Sequence, residues 1–326
     1  MPVTTIPTLP SLAELESAAQ LVRGFVPPTP QYSWPLLNQR AGCEVWVKHE
    51  NHTPVGAFKV RGGIVFMDWL RRTHPDTVGV ISATRGNHGQ SLAFAARRFG
   101  FKAVVVVPQA NSREKNAAVR ALGAELVEHG HDFHSADHYA DELAHDRRLF
   151  RMPSFDLKLV RGVASYALEL FQGTPALDAV FVPIGWGSGA IGLASARNAL
   201  GLKTRIIGVV SASAPTYALS LVAGRVVEQS SATRIADGIA ISRANEVGLE
   251  IVRSELDHVI QVSDDEVEDA MRVIFSDTHN VAEGAGAAAL AALLKNQDAW
   301  SGKRVGVILS GGNVDRDVFA RTISHG

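Results

Sequence analysis

Cysteine is almost missing from this sequence: Cys43 is the only one, which excludes an intrachain disulfide and fits a reducing compartment. An excess of charge of either sign is missing too. The 32 Lys and Arg stand against 33 Asp and Glu, a formal net charge of −1, so nothing points to a nucleic-acid or membrane-surface partner. The most apolar helical run, Gly284–Leu294, is far short of the ~20 residues a membrane span needs. Residues 1–20 have no basic start and no apolar segment, so no secretory leader is expected. There is no internal repeat and no low-complexity tract. These absences leave a soluble, cytoplasmic protein as the expectation.

What the sequence does have is length and rhythm. Its 326 residues suffice for two domains with ample cores. A proline-rich approach, Val26–Pro30, leads to a first strand at Glu44–Lys48. Short β-rich runs then alternate with amphipathic helices. Thr77–Ser82, Lys102–Pro108, Glu125–Glu128, Ala179–Ile184, Arg205–Val210, His258–Val262 and Arg304–Leu309 read as strands, and Arg148–Met152 as an extended segment. Helices fall through Asn87–Phe99, Glu114–Leu122, Ser135–Ala144, Ala164–Phe171, Ala190–Leu200, Asn245–Ser254, Asp264–Ser276 and Ala287–Leu294. Alternation of this kind predicts an α/β fold with parallel sheets covered by helices, and ligands outside the carboxyl ends of the strands.

Four stretches at such ends carry chemistry. In the first, Glu44–Gly63, a strand and polar turn are followed by a helix opening near Phe58, which puts Lys59 in a first helical turn. Positive charge is disfavoured there, so the amine is expected to have a lowered pKa or to be held in a covalent bond. A surface lysine on an ordinary helix is the plainer reading of that segment alone. In the second, Thr84-Arg85-Gly86-Asn87-His88 joins a strand to a helix, and its backbone N–H groups can face a carboxylate. A simple helix cap by Thr84 or Asn87 is the competing reading.

The third stretch, Gly185-Trp186-Gly187-Ser188-Gly189, lets consecutive N–H groups converge on a phosphate at a helix start. Its continuation to Gly192 also satisfies G-x-G-x-x-G. The next strand, however, ends Ser211-Ala212-Ser213 with no carboxylate for a ribose, so a phosphate without a nucleotide fits better. The fourth, Ser310-Gly311-Gly312-Asn313, closes the last strand, and alone it is an ordinary strand exit.

Together, in this order and at these spacings, the four stretches resemble the threonine and serine dehydratase–serine racemase group of pyridoxal-phosphate enzymes, of the tryptophan-synthase-β fold type (fold type II). The resemblance covers roughly residues 20–320 and implies a concrete site. Lys59 would carry pyridoxal 5'-phosphate as a Schiff base and later act as base on the substrate α-hydrogen. Asn87 would bond the ring's phenolic oxygen; Gly185, Trp186, Gly187, Ser188 and Gly189 would hold the phosphate; Ser310 would bond the ring nitrogen. The substrate carboxylate would lie on Thr84, Arg85, Gly86, Asn87 and His88. Asp237, Gly238 and Glu283 also match family positions near the site. The implied organisation is two-domain: residues 1–49 with 149–326 as a large cofactor domain, and 50–148 as a small substrate domain. The implied reaction is dehydrative deamination of a β-hydroxy-α-amino acid to a 2-oxo acid and ammonia. A homodimer is the family's common state.

Departures narrow this. Arg85 stands where serine racemase has a serine, and arginine has no proton to exchange near neutral pH, which disfavours racemisation. Arg85 leaves open a hydroxyaspartate-type substrate, or a bulky aryl one such as phenylserine on which a guanidinium stacks. The racemases' divalent-metal motif is replaced by Ser211–Pro215, so no metal site is expected there, although a monovalent cation on backbone carbonyls stays open. The sequence ends with the catalytic region, and catabolic use is expected. Amino-acid racemisation, β-replacement and a catalytically silent cofactor-binding regulatory protein stay as alternatives. The histidines at 129, 131, 134, 138 and 145 are crowded, and His134 and His138 have a zinc-compatible spacing; a solvated helix face is the simpler reading.

Overall fold

The computed structural model describes residues 7–324. The first six residues, on which the expectation of no leader and the start of the large domain partly rest, lie outside that range. Along the chain run α1 (Leu12–Arg23), β1 (Gln31–Ser33), α2 (Pro35–Ala41), β2 (Glu44–His49), α3 (Lys59–Thr73), β3 (Gly79–Ala83), α4 (Asn87–Phe99), β4 (Lys102–Val107) and α5 (Arg113–Ala121). Then come β5 (Glu125–Glu128), α6 (Phe133–Asp146), β6 (Phe150–Arg151), α7 (Leu157–Gly173), β7 (Ala179–Pro183), α8 (Ser188–Ala199), β8 (Arg205–Ser211) and α9 (Thr216–Ala223). The chain finishes with α10 (Glu246–Glu255), β9 (His258–Val262), α11 (Asp264–Thr278), α12 (Gly284–Lys295), β10 (Arg304–Leu309) and α13 (Arg316–Ser324).

Two sheets result, in the α/β class expected. The six-stranded one has the order β1-β2-β10-β7-β8-β9 and the four-stranded one β5-β4-β3-β6. Every pairing is parallel except that of β1 with β2. The expected strands were present to within one or two residues. The second sheet extends past residue 148, because Phe150–Arg151 pairs with β3. Helices α1, α2, α9 and α13 were not anticipated. Helix α7 begins at Leu157, earlier than expected, because the Asp156 side chain accepts from the Lys158 N–H and starts it there.

Packing explains the two most apolar features. Inward residues of the large sheet, Val45, Val47, Phe181, Ile207, Val209, Val305 and Val307, are buried against α11 and α12. The apolar run at Gly284–Leu294 is a core helix, buried from Gly284 to Leu293. Among the described residues no helix is long and apolar enough to cross a membrane.

The chain leaves the large sheet after β2 and returns to it through α7, and a buried ion network ties the two crossings together. The Arg61 guanidinium donates to both oxygens of Glu50 (2.7 and 3.0 Å) and both of Glu169 (2.8 and 2.9 Å). Lys48 donates to Glu169 at 2.7 Å and to the Thr29 carbonyl at 2.8 Å. Two cations and two carboxylates from β2, the turn after it, α3 and α7 thus neutralise one another out of contact with water. Arg61 lies in the first turn of α3, so the network fixes where that helix, and Lys59 with it, begins.

Candidate active site

Lys59 is the first residue of α3, and no side chain caps that helix. The approach is held by its neighbours instead. Thr53 accepts from the Ala57 N–H through its hydroxyl, and the Phe58 N–H donates to the Ser310 carbonyl at 3.1 Å. The start of α3 is therefore pinned to the end of β10, and the first and fourth stretches meet. Burial pushes the Lys59 ammonium down to about 8, against the opposing attraction of Glu283.

A cavity of about 320 Å³ opens beside Lys59 at the carboxyl ends of the strands. The strand-to-helix turn contributes Thr84, Arg85, Gly86, Asn87 and His88; Trp186, Asp237 and Gly238 line it from the other sheet's side. Gly185, Gly187, Ser188, Gly189, Ser310 and Glu283 are not among its lining residues. They stand just behind. A Cβ on Gly185 would sit 2.8 Å from the Gly238 carbonyl, and Glu283 bonds Asn87 directly. Ser310 is buried, with its hydroxyl 3.4 Å from the Ala285 carbonyl.

Neither Thr84 nor Asn87 caps α4. Gly86 occupies the cap position without a side-chain bond, while the Thr84 hydroxyl accepts from the Gly86 N–H at 3.0 Å. Helix α8 is likewise uncapped. It starts from Gly187 at φ +96°, a conformation favouring glycine, and a Cβ there would lie 2.8 Å from the Tyr217 hydroxyl. Tyr217 donates to the Trp186 carbonyl at 3.2 Å and Tyr166 to the Gly189 carbonyl at 2.9 Å, which holds the loop's shape. Both helix starts present polar N–H ends to an anion.

Three features could accommodate a phosphate-bearing aldehyde: a depressed lysine, the uncapped start of α8, and buried nitrogens left without a partner. Arg85 Nε and His88 Nε2 are such nitrogens on residues that line the cavity. Burial, and then the charges of Lys59 and Arg151, hold the His88 imidazole down to about 3, so it is neutral at pH 7.

Sequence reasoning missed a polar chain in the cavity wall, of which Asn87, Lys115 and Asp237 line the space itself. Lys115, on α5, pairs with Asp237 at 2.8 Å and Glu283 at 3.1 Å. Glu283 accepts from Asn87 Nδ2 at 2.5 Å, and Asn87 Oδ1 accepts from Asn313 Nδ2 at 2.9 Å. Asn313 also donates to the Val55 carbonyl at 2.8 Å. Burial works against the Lys115 charge, but the two carboxylates outweigh it and raise its pKa. Burial raises that of Glu283, with Lys115 opposing. Lys115 gives no signal in sequence, where it reads as one more cation on an amphipathic helix. Asn313 belongs to a quoted motif, but nothing there assigned its side chain.

The histidine-rich segment does not converge. His129 stacks on Tyr139 with ring centroids 3.8 Å apart, and among the described residues no group of three or more His, Cys, Asp or Glu could hold a metal ion.

Residues 22–311 match the family described as Pyridoxal-phosphate dependent enzyme. The chain is 30% identical to an L-threonine ammonia-lyase of Thermotoga maritima, over 97% of this chain and 79% of that protein. It is also 30% identical to an L-threo-3-hydroxyaspartate ammonia-lyase of Saccharomyces cerevisiae, over 97% of both. It spans only 56% of the biosynthetic L-threonine dehydratase of Haemophilus influenzae, at 34% identity over 88% of this chain. A crystal structure of a pyridoxal 5'-phosphate-dependent aspartate racemase superposes with a TM-score of 0.90 at 29% identity, over 96% of this chain and 98% of that one. A match over most of the chain, to a family whose cofactor suits a buried lysine and an uncapped helix, settles the membership: this chain belongs to the pyridoxal-phosphate-dependent enzymes.

Proposed function

We propose that this protein removes water from a β-hydroxy-α-amino acid and releases a 2-oxo acid and ammonia. The observation that carries the reading is Lys59, an amine depressed to about 8, beside a cavity bordered by the uncapped turn at Thr84–His88. The ammonia-lyase names of the Thermotoga and yeast relatives support the reaction class.

Pyridoxal phosphate, when bound, supplies the electron sink that makes the substrate α-hydrogen acidic. Apart from the acid for the leaving hydroxyl, every other part is assigned to the chain. Lys59 Nζ holds the cofactor aldehyde and, once free, takes the α-hydrogen as general base. The Gly185–Gly189 loop, with Trp186, Gly187 and Ser188, receives the phosphate at the start of α8. Asn87 faces the phenolic oxygen. Ser310 faces the ring nitrogen, where a neutral hydroxyl leaves that nitrogen largely unprotonated and favours prompt loss of a β-leaving group over a long-lived carbanion. The N–H groups of Thr84–His88 orient the substrate carboxylate. The departing hydroxyl would take its proton from the cofactor phosphate held by the loop, a role Lys59 would share, so that water leaves, and the enamine released tautomerises and hydrolyses in solution. Racemisation would need an acid on the opposite face, and the side chain at that turn is Arg85.

The proposal includes a large and a small unit divided as expected except that the small one, 50–148, is extended to Arg151 by the pairing of Phe150–Arg151 with β3, and closure of the cleft on substrate. It takes the active species as a cytoplasmic homodimer and leaves room for a monovalent cation on backbone carbonyls, which potassium dependence of the assay reads out.

The test is 2-oxo acid release from L-threonine, L-serine, L-threo-3-hydroxyaspartate and L-threo-phenylserine, with Lys59→Ala as control. Release abolished in the control is the expected result. If hydroxyaspartate or phenylserine is preferred, Arg85 and Trp186 are the first residues to exchange. No oxo acid from any of them, with cofactor still fixed to Lys59 by borohydride, would overturn the dehydratase and favour β-replacement, racemisation or a silent regulatory protein.

A further inference from the structure

The polar chain in the cavity wall has a directional consequence. Asn87 offers its amide oxygen to Asn313 and one N–H to Glu283. With both contacts made, the side chain has one N–H left to donate, and that is the group an anionic oxygen of a ligand can use. Reversing the amide would set its oxygen against the Glu283 carboxylate, a repulsion that holds only while Glu283 is ionised. Glu283 is 2% exposed and sits beside a second carboxylate, Asp237, which Lys115 also contacts. The charged or titratable groups around it are Lys115 from α5, Asp237 from the turn before Gly238 and Lys59 from α3. Once Lys59 binds an aldehyde its nitrogen becomes an imine that gains and loses its proton, so Lys115 is the ammonium of this set that persists.

We propose that Lys115 is a positioning residue: by pairing with Glu283 across the cleft it keeps the Asn87 amide turned to donate its free N–H toward the cofactor. The inference rests on the reading that Asn87 faces the cofactor's phenolic oxygen. Gly86 makes room for the arrangement, since a Cβ there would lie 2.4 Å from Lys115 Cδ. Without Lys115, Glu283 takes up a proton and becomes able to donate as well as accept, so only the Asn313 contact still opposes the reversed amide. The phenolic oxygen then loses its fixed donor and attracts the neighbouring imine proton more strongly.

The test uses the holoenzyme and the pH midpoint of the bound cofactor's absorbance. Lys115→Met should raise that midpoint by about one pH unit, the size of one hydrogen bond to a charged oxygen. Lys115→Arg, which restores the charge, should return it toward the parent value. Lys115→Gln, which keeps a donor without charge and is the second variant should the Met form not fold, should shift it the same way by less. An unchanged midpoint in a neutral variant whose cofactor is still fixed to Lys59 by borohydride would overturn the inference. Failure of borohydride to fix the cofactor in the parent protein would instead overturn the assignment of Lys59.

Discussion

Exchanging Arg61 for methionine probes the buried network that locates Lys59. The substitution removes one of two cations and leaves the Glu50 and Glu169 carboxylates facing Lys48 alone. Two outcomes are open to the folded variant. Both carboxylates can stay ionised, at a cost of about 3–5 kcal/mol for a broken buried pair. Alternatively one can take up a proton. From an unfolded pKa near 4.3, that costs about 3.7 kcal/mol at pH 7 and only about 1 kcal/mol at pH 5, at about 1.36 kcal/mol per unit. Lost hydrogen bonds to Ser165 and Thr29 add about 1–2 kcal/mol at either pH.

The sign is fixed by linkage. In the variant the folded carboxyl pKa lies above its unfolded value, so the destabilisation grows as pH rises from about 4.3 and levels off above the raised value. Urea unfolding of parent and variant should therefore give a difference about 2–3 kcal/mol larger at pH 7 than at pH 5. Adding Glu50→Gln should recover much of the loss at pH 7, because the amide needs no proton. A difference between parent and variant that is the same at both pH values would refute the account of Arg61 as the counter-charge of this network.

Two further predictions concern the cavity. Apo-protein should take up pyridoxal phosphate at a rate that climbs with pH and levels near 8, since the neutral fraction of Lys59 at pH 7 is roughly one in ten, against roughly one in three thousand for an ordinary lysine. A rate still rising tenfold per unit between pH 9 and 10 would show that burial does not depress this amine. Gly86→Ala places a methyl group 2.4 Å from Lys115 Cδ and should cost about 1–3 kcal/mol of stability while raising the cofactor's absorbance midpoint as Lys115→Met does. A stable Gly86→Ala protein with the parent midpoint would contradict the placement of Lys115.

The alternation of β-branched runs with amphipathic helices made the parallel sheets legible, because a strand buried on both faces announces itself in sequence. Lys59 at the head of α3 was legible for a local reason: a polar turn separates it from β2 by a few residues. Lys115 was not, because its partners Asp237 and Glu283 come from the other side of the cleft and meet it only once both sheets are assembled. The start of α7 was less legible although its cap, Asp156, is local, because the first turn, Leu157–Val160, is separated from the apolar run at Ala164–Phe171 by Arg161 and Gly162.

The helix starts draw the two kinds of information together. Ser11, Ser112, Asp132, Asp156, Asn245 and Ser263 each cap a helix with a side chain. The starts of α3, α4, α8 and α12, at Phe58, Gly86, Gly187 and Glu283, have no such bond, and these four surround the site. A cap satisfies a helix's first N–H groups internally, and its loss costs about 1 kcal/mol. Helices α2 and α9 are uncapped as well, so an uncapped start is not by itself a site. Four on converging elements, beside a lysine whose charge burial opposes, leave local polar groups available to an anionic ligand that a capped fold would have consumed.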